Sequence, residues 1–420
     1  MLFGYNWKQL GFDFNGVQYV NDTAKQWNPD GIYFEEELDD KDQFFIQYNN
    51  VPVGFEVHKK RMFITVPRRR FGIPSTLNYV DITAESTRSP LLKPYPDVDS
   101  VISFVSVYRP RVDVCGRLWL VDTGLLEVPN SRVQIKQPEV IVFDLATDKE
   151  IVRYQFKQSD LFNGTTSGFI SITVDVTRTN CDNAYAYIND LATGGLVVFS
   201  LKERDSWRFS HPSFNYDPAS IFNLGEYTIN WRDGIFSIAL SDPDSRGIRT
   251  AYYHPFISAQ EFSITTDILK NKNGDFENNF KLLGVRGLLS QSASHVYHGP
   301  TRTLLFANIA QNGILCWNVD KSLTQTALAA HNQQWLAYIT DIKVSGDYVY
   351  VLVNQMHNFI YSRLDPSVYN FFVLGAKVTD LIKGTVCDNN KKPSHAQKPV
   401  ADNANGFSFY NNHGNKAPIA

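Results

Sequence analysis

Polar side chains recur in this sequence at the points where apolar, strand-like segments begin or end. One apolar segment, residues 117–121, runs directly into Asp122, and another, residues 349–353, runs into Asn354. Carboxylate, amide, hydroxyl and guanidinium groups that converge on one place can bind a small polar organic molecule. The same side chains can instead cap strand ends by binding turn N–H groups, which is the commoner role for any single residue. The set as a whole therefore predicts a pocket, while no member alone predicts a reaction.

Motifs for acid–base and metal chemistry are sparse. His357, in the segment NQMHNF, lies nearest these strand ends, where an imidazole can move protons near neutral pH, although it can equally be a surface histidine. The sequence contains no G-x-S-x-G nucleophile elbow, no H-E-x-x-H zinc motif and no phosphate-binding loop. A ring of oxygen ligands could hold Ca²⁺, but no calcium-loop motif is present, so we assign neither a metal nor a cofactor.

Short strands recur along the chain at a spacing typical of β-propeller blades. Apolar runs bounded by Gly and Pro predict second strands near positions 62, 117, 184, 235, 304 and 348. Each such sheet has two apolar faces, which are buried only when sheets stack around an axis. The sequence therefore predicts an all-β fold, a six-bladed β-propeller with four-stranded blades. A pair of large β-sandwiches and a propeller of five or seven blades are the alternatives.

In a propeller, the loops that enter first strands and the loops that leave second strands share one face of the disc. We expect that face to collect the polar side chains described above and to form a cup at the mouth of the channel. The members of this predicted ring are Arg68, Arg69, Arg70, Ser103, Asp122, Thr123, Ser171, Asn189, Asp190, Asp233, Gln291, Ser292, Asn308, Thr340, Asp341 and Asn354.

The positions of the four cysteines fit two disulfide bonds. Cys115 and Cys181 both lie in turns between the first and second strands of consecutive units, and such turns are neighbours on one rim of a propeller. Cys316 lies in a third strand and Cys387 follows the last strand, so this pair can fix the C-terminal segment. Four buried free thiols are the alternative, and the spacing excludes a CxxC zinc ribbon.

Composition limits the class of protein and its partners. A net charge of −3 gives no general affinity for nucleic acid, and the absence of a long apolar run argues against a membrane span. We expect a secreted protein because sequons begin at Asn21 and Asn163, although no signal peptide is visible in the sequence. Residues 1–388 are expected to form one domain and residues 389–420 a polar, disordered tail, while the oligomeric state stays open.

Several motifs resemble those of the Yellow / major royal jelly protein family of insects. They are MFITVPRRRFGIPSTLNYVD, VDVCGRLWLVDTG, CDNAYAYINDL, DGIFSIALS, CWN and GTVCD, and together they span most of the chain. The segments VSVYRPRVDVCGRLWLVDTGLLEVP and QIKQPEVIVFDL are most similar to the dopachrome conversion enzyme branch. The resemblance implies a secreted six-bladed propeller with two disulfides. Salivary relatives bind a biogenic amine in the channel, and Thr340, Asn354 and Met356 match their ligand positions, with Met356 replacing an aromatic residue.

Two functions follow from this resemblance. The first is an enzyme that converts dopachrome to a dihydroxyindole in melanin formation, with loss of the carboxylate. Arg68 would hold the carboxylate or a phenolate oxygen through charge-assisted hydrogen bonds, and Asp122 or His357 would move protons. The residues expected to bind the ligand are Thr340, Asn354, Met356, Gln291 and Ser103. The second function is non-catalytic binding of catecholamines, indoleamines or another small ligand in the same channel.

Overall fold

The structure is a computed structural model that describes residues 4–21, 43–82, 87–128, 131–162 and 165–389. Within these residues, six antiparallel sheets of four strands each are arranged as a six-bladed β-propeller. The predicted fold class is therefore confirmed. Asn163 lies outside the described residues, as does all of the predicted tail except Asn389.

Strand order from the axis outward follows chain order in the first five blades. Blade 1 consists of Gly54–His58, Arg61–Thr65, Leu77–Asp81 and Lys93–Pro94. Blade 2 consists of Arg111–Val112, Arg117–Asp122, Glu139–Asp144 and Lys149–Gln155. Blade 3 consists of Phe169–Thr177, Asn180–Asp190, Gly195–Ser200 and Asp205–Ser210. The strands of blades 4 and 5 are Ile235–Leu240, Thr250–Pro255, Gln260–Thr265 and Lys281–Val285; and Ser292–His298, Thr303–Asn308, Gly313–Asn318 and Thr326–His331.

The sixth blade closes the ring with strands from both ends of the described chain. Its first three strands are Ile339–Ser345, Tyr348–Val353 and Phe371–Lys377, and its outermost strand is Gly4–Trp7. Gly4–Trp7 pairs antiparallel with Phe371–Lys377, and both Tyr5 and Trp7 are fully buried by this pairing. The N-terminal strand therefore holds the last blade to the start of the chain.

Burial on both faces explains why the blade strands read as unbroken apolar runs. The strand Arg117–Asp122 is buried at every position because a neighbouring blade covers each face, whereas the outermost strand Lys149–Gln155 is mostly exposed. The prediction of a second strand near position 235 is wrong. Ile235–Leu240 is the innermost strand of blade 4, and the second strand is Thr250–Pro255. Inner and second strands are equally apolar, so the sequence alone does not distinguish them.

All four cysteines form the two predicted disulfide bonds. Cys115 is bonded to Cys181, which joins blade 2 to blade 3. Cys316, in blade 5, is bonded to Cys387, which follows the last strand of the propeller. The alternative of four free thiols is therefore wrong.

Hairpins and short helices decorate the blades. The hairpins pair Phe12–Phe14 with Val17–Tyr19, Leu125–Val128 with Ser131–Gln134, and Phe222–Leu224 with Tyr227–Ile229. The α-helices are α1 (Thr266–Lys270), α2 (Phe276–Asn279), α3 (Met356–Tyr361) and α4 (Val378–Ile382). In the part of the chain that the structure describes, no helix has the length and apolar character needed to cross a bilayer.

Candidate active site

A cavity of about 580 Å³ lies at one mouth of the central channel. Its wall consists of segments that enter the first strands of blades 2, 3, 4 and 6 and loops that leave the second strands of blades 1, 2, 3 and 6. Its charged, aromatic and thioether side chains include Arg69, Arg70, Tyr108, Glu127, Arg132, Trp231, Arg232, Asp233, Phe236, Tyr338 and Met356. The cavity therefore lies on the face where the strand-end argument places a polar cup.

Arg69 and Asp233 are half-buried charged groups with free hydrogen-bonding capacity in this cavity, whereas the other arginine of its wall without a partner among the described residues, Arg232, is exposed. In the part of the chain that the structure describes, the side chains of Arg69 and Asp233 have no hydrogen bond and no ion pair within 4 Å. Burial raises the pKa of Asp233 to about 6, with Arg69 opposing the rise and Glu127 adding to it. Burial alone would lower the pKa of Arg69, but the surrounding Tyr108, Glu127 and Asp233 raise it. A carboxyl group that titrates near neutral pH therefore faces the same space as a permanent cation.

Tyr108, Glu127 and Arg132 form a connected polar group in the wall of the same cavity. The phenol of Tyr108 donates a hydrogen bond to the carboxylate of Glu127, which also lies 3.1 Å from the guanidinium of Arg132. Burial and the adjacent Glu127 raise the pKa of Tyr108 well above its usual value, so the phenol keeps its proton. Glu127 is thus already engaged, in contrast to Asp233.

Aromatic rings form a further part of the wall. The indole of Trp231 donates a hydrogen bond of 2.6 Å to the hydroxyl of Tyr361, and the two rings are nearly parallel at a centroid distance of 6.2 Å. Tyr338 lies 6.3 Å from Trp231 and stacks on His357 at 6.0 Å. Flat apolar faces beside a carboxyl and a guanidinium suit a planar aromatic ligand that carries polar substituents.

The family model described as "Major royal jelly protein" matches residues 105–387, which is more than half of the chain. The chain belongs to the major royal jelly protein / Yellow family.

Named members of this family cover most of the chain. L-dopachrome tautomerase yellow-f of Drosophila melanogaster is 38% identical over 92% of this chain and 94% of its own length. Dopaminechrome tautomerase of the same species is 32% identical over 82% of this chain and 78% of its own length. Protein yellow of Drosophila yakuba is 36% identical over 91% of this chain and 70% of its own length.

Solved structures resemble the chain more distantly. A virginiamycin B lyase from Staphylococcus aureus aligns with 78% of this chain and 95% of its own, at a TM-score of 0.42 and 10% identity. The WD40 repeats of RRP9 align with 79% of this chain and 96% of their own, at a TM-score of 0.40 and 11% identity. Similarities of this size add nothing about the site.

In this member of the family, Asp122 does not line the cavity. The side chain is fully buried, and its oxygens accept hydrogen bonds of 2.8 Å from the backbone N–H groups of Val105 and Ser106. The ammonium of Lys136 lies 2.9 Å away. These contacts favour a role in fixing the chain that enters blade 2, so the catalytic assignment of Asp122 gains no support from its position.

Arg68 is likewise turned away from the cavity. Its guanidinium donates to the carbonyl oxygens of Ile73, Phe104 and Pro74 at 3.0, 2.5 and 2.9 Å. Burial lowers its pKa to about 10, which still leaves the group charged near neutral pH. With its donors used by backbone carbonyls, Arg68 has little left for a substrate, and the next residue, Arg69, is the one that faces the cavity.

His357 lies behind the cavity wall and does not line it. It is buried on α3, where its ring stacks on Tyr338, and its Nδ1 atom has no hydrogen-bond partner among the described residues. Burial lowers its pKa to about 4, so the imidazole is neutral at physiological pH. A proton relay through His357 would have to cross the ring of Tyr338.

Two of the predicted ligand-binding residues join blade 6 to blade 1. The hydroxyl of Thr340 donates to the carbonyl oxygen of Val53 at 3.2 Å, and the side-chain amide of Asn354 donates to the carbonyl oxygen of Pro52 at 2.9 Å. Both side chains are buried, and neither lines the cavity. Met356, two residues beyond Asn354, does line it.

The last two predicted ligand-binding residues also lie elsewhere. The amide of Gln291 donates to the carbonyl oxygen of Ser220 at 3.0 Å, and the side chain is buried. Ser103 is exposed in a short 3-10 helix, Asp99–Ser103, where its hydroxyl donates to the carbonyl oxygen of Ser100 at 2.7 Å. Among the eight predicted catalytic and ligand-binding residues, Met356 alone lines the cavity.

One group of side chains in the described residues has donors of the type that bind metals. The ligand atoms of His254, Glu261 and His295 lie within 4.8 Å of one another, and all three side chains are buried. Arg286 already neutralises Glu261 at 2.6 Å, and burial lowers the pKa of His254, next to Arg286. A second cation beside Arg286 would be repelled, so we interpret this group as an internal ion pair between blades 4 and 5.

Proposed function

We propose that this chain converts dopachrome to a dihydroxyindole in the cavity at the channel mouth. Relatives named for dopachrome and dopaminechrome tautomerase activity are 38% and 32% identical to it. The observation that carries the proposal is the pair of unpartnered charges, Arg69 and Asp233, which face one cavity beside the aromatic wall. An acid–base group with a pKa near 6 and a fixed cation are what a proton transfer on a quinone requires.

The reaction needs only a shift of electrons within the substrate. Dopachrome is an indoline quinone with a carboxylate on its five-membered ring. One carbon of the five-membered ring loses a proton, its neighbour loses either a proton or the carboxyl group as CO₂, the bonding electrons pass into the six-membered ring, and both quinone oxygens gain protons. No external oxidant or reductant is consumed in either route, so the proposal requires no cofactor.

Each role can be assigned to a residue of the cavity. In the proton route, the carboxylate of Asp233 accepts one of the two ring protons and returns it to a quinone oxygen, and Arg69 stabilises the negative charge that develops on that oxygen. In the decarboxylation route, which we favour, the protonated form of Asp233 supplies one of the two protons that the quinone oxygens gain, and the other comes from the ring carbon next to the one that loses CO₂. Trp231 offers a flat face on which the indoline ring can stack.

The charge of the cavity favours an anionic substrate. Four arginines line it, Arg69, Arg70, Arg132 and Arg232, against the two carboxyl groups of Glu127 and Asp233. Because Arg132 is paired with Glu127, the remaining cations outnumber the remaining carboxyl group. This excess attracts a carboxylate-bearing quinone toward the channel mouth.

The second candidate function is binding without catalysis. The same aromatic wall could hold a catecholamine or an indoleamine, and Asp233 offers an unpartnered carboxyl group to its ammonium. Two disulfides and the family membership support an extracellular location for either function. Asn21 is exposed, as a glycan acceptor must be, and its glycosylation stays a prediction.

The decisive experiment follows the colour of dopachrome with and without purified protein. The spontaneous loss in buffer is subtracted, and calorimetry with dopamine and serotonin runs in parallel. We expect a protein-dependent acceleration and a dihydroxyindole product, whose carboxyl content distinguishes the two routes. Loss no faster than in buffer, together with calorimetric binding of an amine, would replace the enzyme by the binder.

A further inference from the structure

A second cavity, of about 190 Å³, lies further along the central channel. Its wall comes from the innermost strands of blades 2 to 6 and includes several charged side chains. It is separate from the candidate active site, and the proposed reaction does not use it. The charged residues that line it are Arg109, Arg111, Asp113, Arg249, Asp341 and Lys343.

Almost every charge in this inner cavity has a partner of opposite sign. Arg111 lies 3.7 Å from Glu56, Arg249 lies 2.9 Å from Asp175, and Lys343 lies 3.2 Å from Asp341. Asp113 is bound by Arg117 at 2.7 Å. The exception is Arg109, which has no carboxylate within 4 Å in the ranges that the structure describes.

Arg109 is a buried cation with incomplete hydrogen bonding. The residue is only 4% exposed, and its Nε atom has no hydrogen-bond partner among the described residues. Its guanidinium donates to the carbonyl oxygen of Ala293 at 2.8 Å and lies over the ring of Phe236 at 4.7 Å. The nearby Asp341 is already engaged by Lys343 and by the backbone N–H of Phe55. A guanidinium left in this state is strongly destabilising unless a counter-ion accompanies it.

We propose that the inner cavity binds a small monovalent inorganic anion, of the chloride class, against the guanidinium of Arg109. The hydroxyls of Ser171 and Thr173 are used as donors to the carbonyl oxygens of Phe236 and Ile238, at 3.2 and 2.9 Å. The wall therefore offers few free donors besides the guanidinium. A phosphate or sulfate needs several donors at once, whereas a halide needs few, so the chemistry of the wall selects a halide.

The anion would lie below the floor of the candidate active site. Phe236 covers Arg109 on one side and lines the larger cavity on the other. Neutralising Arg109 would stabilise the centre of the propeller, whatever reaction occurs above Phe236. The anion site and the proposed function can therefore fail independently.

The test uses bromide as a probe on the intact protein. In crystals soaked in sodium bromide, we expect an anomalous peak in the inner cavity, beside the guanidinium of Arg109. In solution, we expect a melting temperature about 2 °C or more higher in sodium chloride or bromide than in sodium gluconate of equal ionic strength. The absence of both the peak and the halide-specific shift would overturn the proposal.

Arg109→Met tests the residue assignment. The substitution removes the charge and keeps much of the side-chain volume, so we expect the halide-specific shift to disappear. Arg246→Met is the control, because this substitution removes the same charge from an exposed position. The Arg246→Met variant should keep the halide-specific shift. A halide shift of wild-type size in Arg109→Met would contradict the assignment. If that variant does not fold, the bromide peak in the wild-type crystal still decides the question.

Discussion

Asp233 and Arg69 are the residues on which the proposed chemistry depends. Most charged side chains of the inner cavity form ion pairs. Asp233 and Arg69 face the larger cavity, and neither has a hydrogen-bond or ion-pair partner for its side chain among the described residues. Leaving a half-buried carboxyl group unpaired raises its pKa, which is a cost to folding and an advantage to proton transfer. We interpret the pair as a site prepared for a ligand that supplies the missing contacts.

Replacing Asp233 by Asn should remove the acid–base group and keep its shape. We expect the protein-dependent acceleration of dopachrome loss to fall by about 100-fold or more, as general acid–base catalysis contributes about that much. Asp244→Asn, an exposed position, is the control and should keep wild-type rates. Steady-state kinetics measure both variants, and unchanged kcat/KM in Asp233→Asn would remove Asp233 from the mechanism.

The pH profile of the wild type reports the same residue. If the carboxylate is the active base, kcat/KM should rise with pH and reach half its maximum near pH 6, where Asp233 titrates. If the protonated form supplies the proton, kcat/KM should instead fall through the same pH. Either midpoint should vanish in Asp233→Asn. A profile that is flat between pH 5 and pH 7 would contradict both roles.

Replacing Arg69 by Gln should remove the charge that stabilises the quinone oxygen. We expect kcat/KM to fall by about 100-fold, the typical effect of losing one such donor, for dopachrome and for dopaminechrome alike. The two substrates differ in the carboxylate, so comparing them separates two roles of the guanidinium. A loss confined to dopachrome would show that Arg69 holds the carboxylate instead.

The sequence indicated the face of the fold where the cavity lies and included Arg69 and Asp233 in the predicted ring, but it assigned the catalytic roles to side chains that do not line the cavity. Asp122, Thr340 and Asn354 stand at strand ends, as expected, but each is bound to backbone groups of a neighbouring segment. Those partners come from distant parts of the chain, which periodicity does not reveal. Arg69, which follows Arg68, and Met356, two positions beyond Asn354, do line the cavity, and the sequence had placed both at this face.

At the scale of elements, helix α3 links the cavity wall to the stability of the fold. Met356 faces the cavity, while His357 on the same helix is buried against Tyr338. A histidine whose pKa is lowered in the folded state stabilises the fold only while it is neutral. Its contribution is complete above the unfolded pKa of 6.5 and is lost as the pH falls toward about 4.

The variant His357→Phe isolates this effect because it keeps an aromatic ring and removes the titrating group. From pH 8 to pH 5, we expect the wild type to lose about 2 kcal/mol more unfolding free energy than the variant. Urea unfolding at several pH values measures the difference. Parallel curves for the two proteins would mean that His357 is protonated without cost in the folded state.

At the scale of the whole molecule, the ring is held closed by the strand Gly4–Trp7. The recurring strands predicted six sheets, and the two apolar faces of each sheet predicted that they stack around an axis. They did not predict that the outermost strand of the last blade comes from the other end of the chain. A four-residue strand is too short to show periodicity, so this closure becomes visible only in three dimensions.

Trp7→Ala should weaken that closure. Trp7 is fully buried, and truncating a buried tryptophan to alanine costs about 3–5 kcal/mol. Lys8→Ala, at the exposed neighbouring position, should change the unfolding free energy by less than about 0.5 kcal/mol. Equal stability of the two variants in urea would show that the N-terminal strand does not hold the ring.

The central claim is that the substrate binds between Asp233 and Arg69 at the channel mouth. The most direct test is a crystal structure of the protein with a dihydroxyindole carboxylate, a stable product of the proton route. We predict that its ring lies against Trp231, with one ring oxygen within hydrogen-bonding distance of Arg69. The favoured decarboxylation route places the Asp233 carboxyl group at the other ring oxygen, and the proton route places it beside the five-membered ring. Density for the compound at any other place, with this cavity left to solvent, would contradict the account.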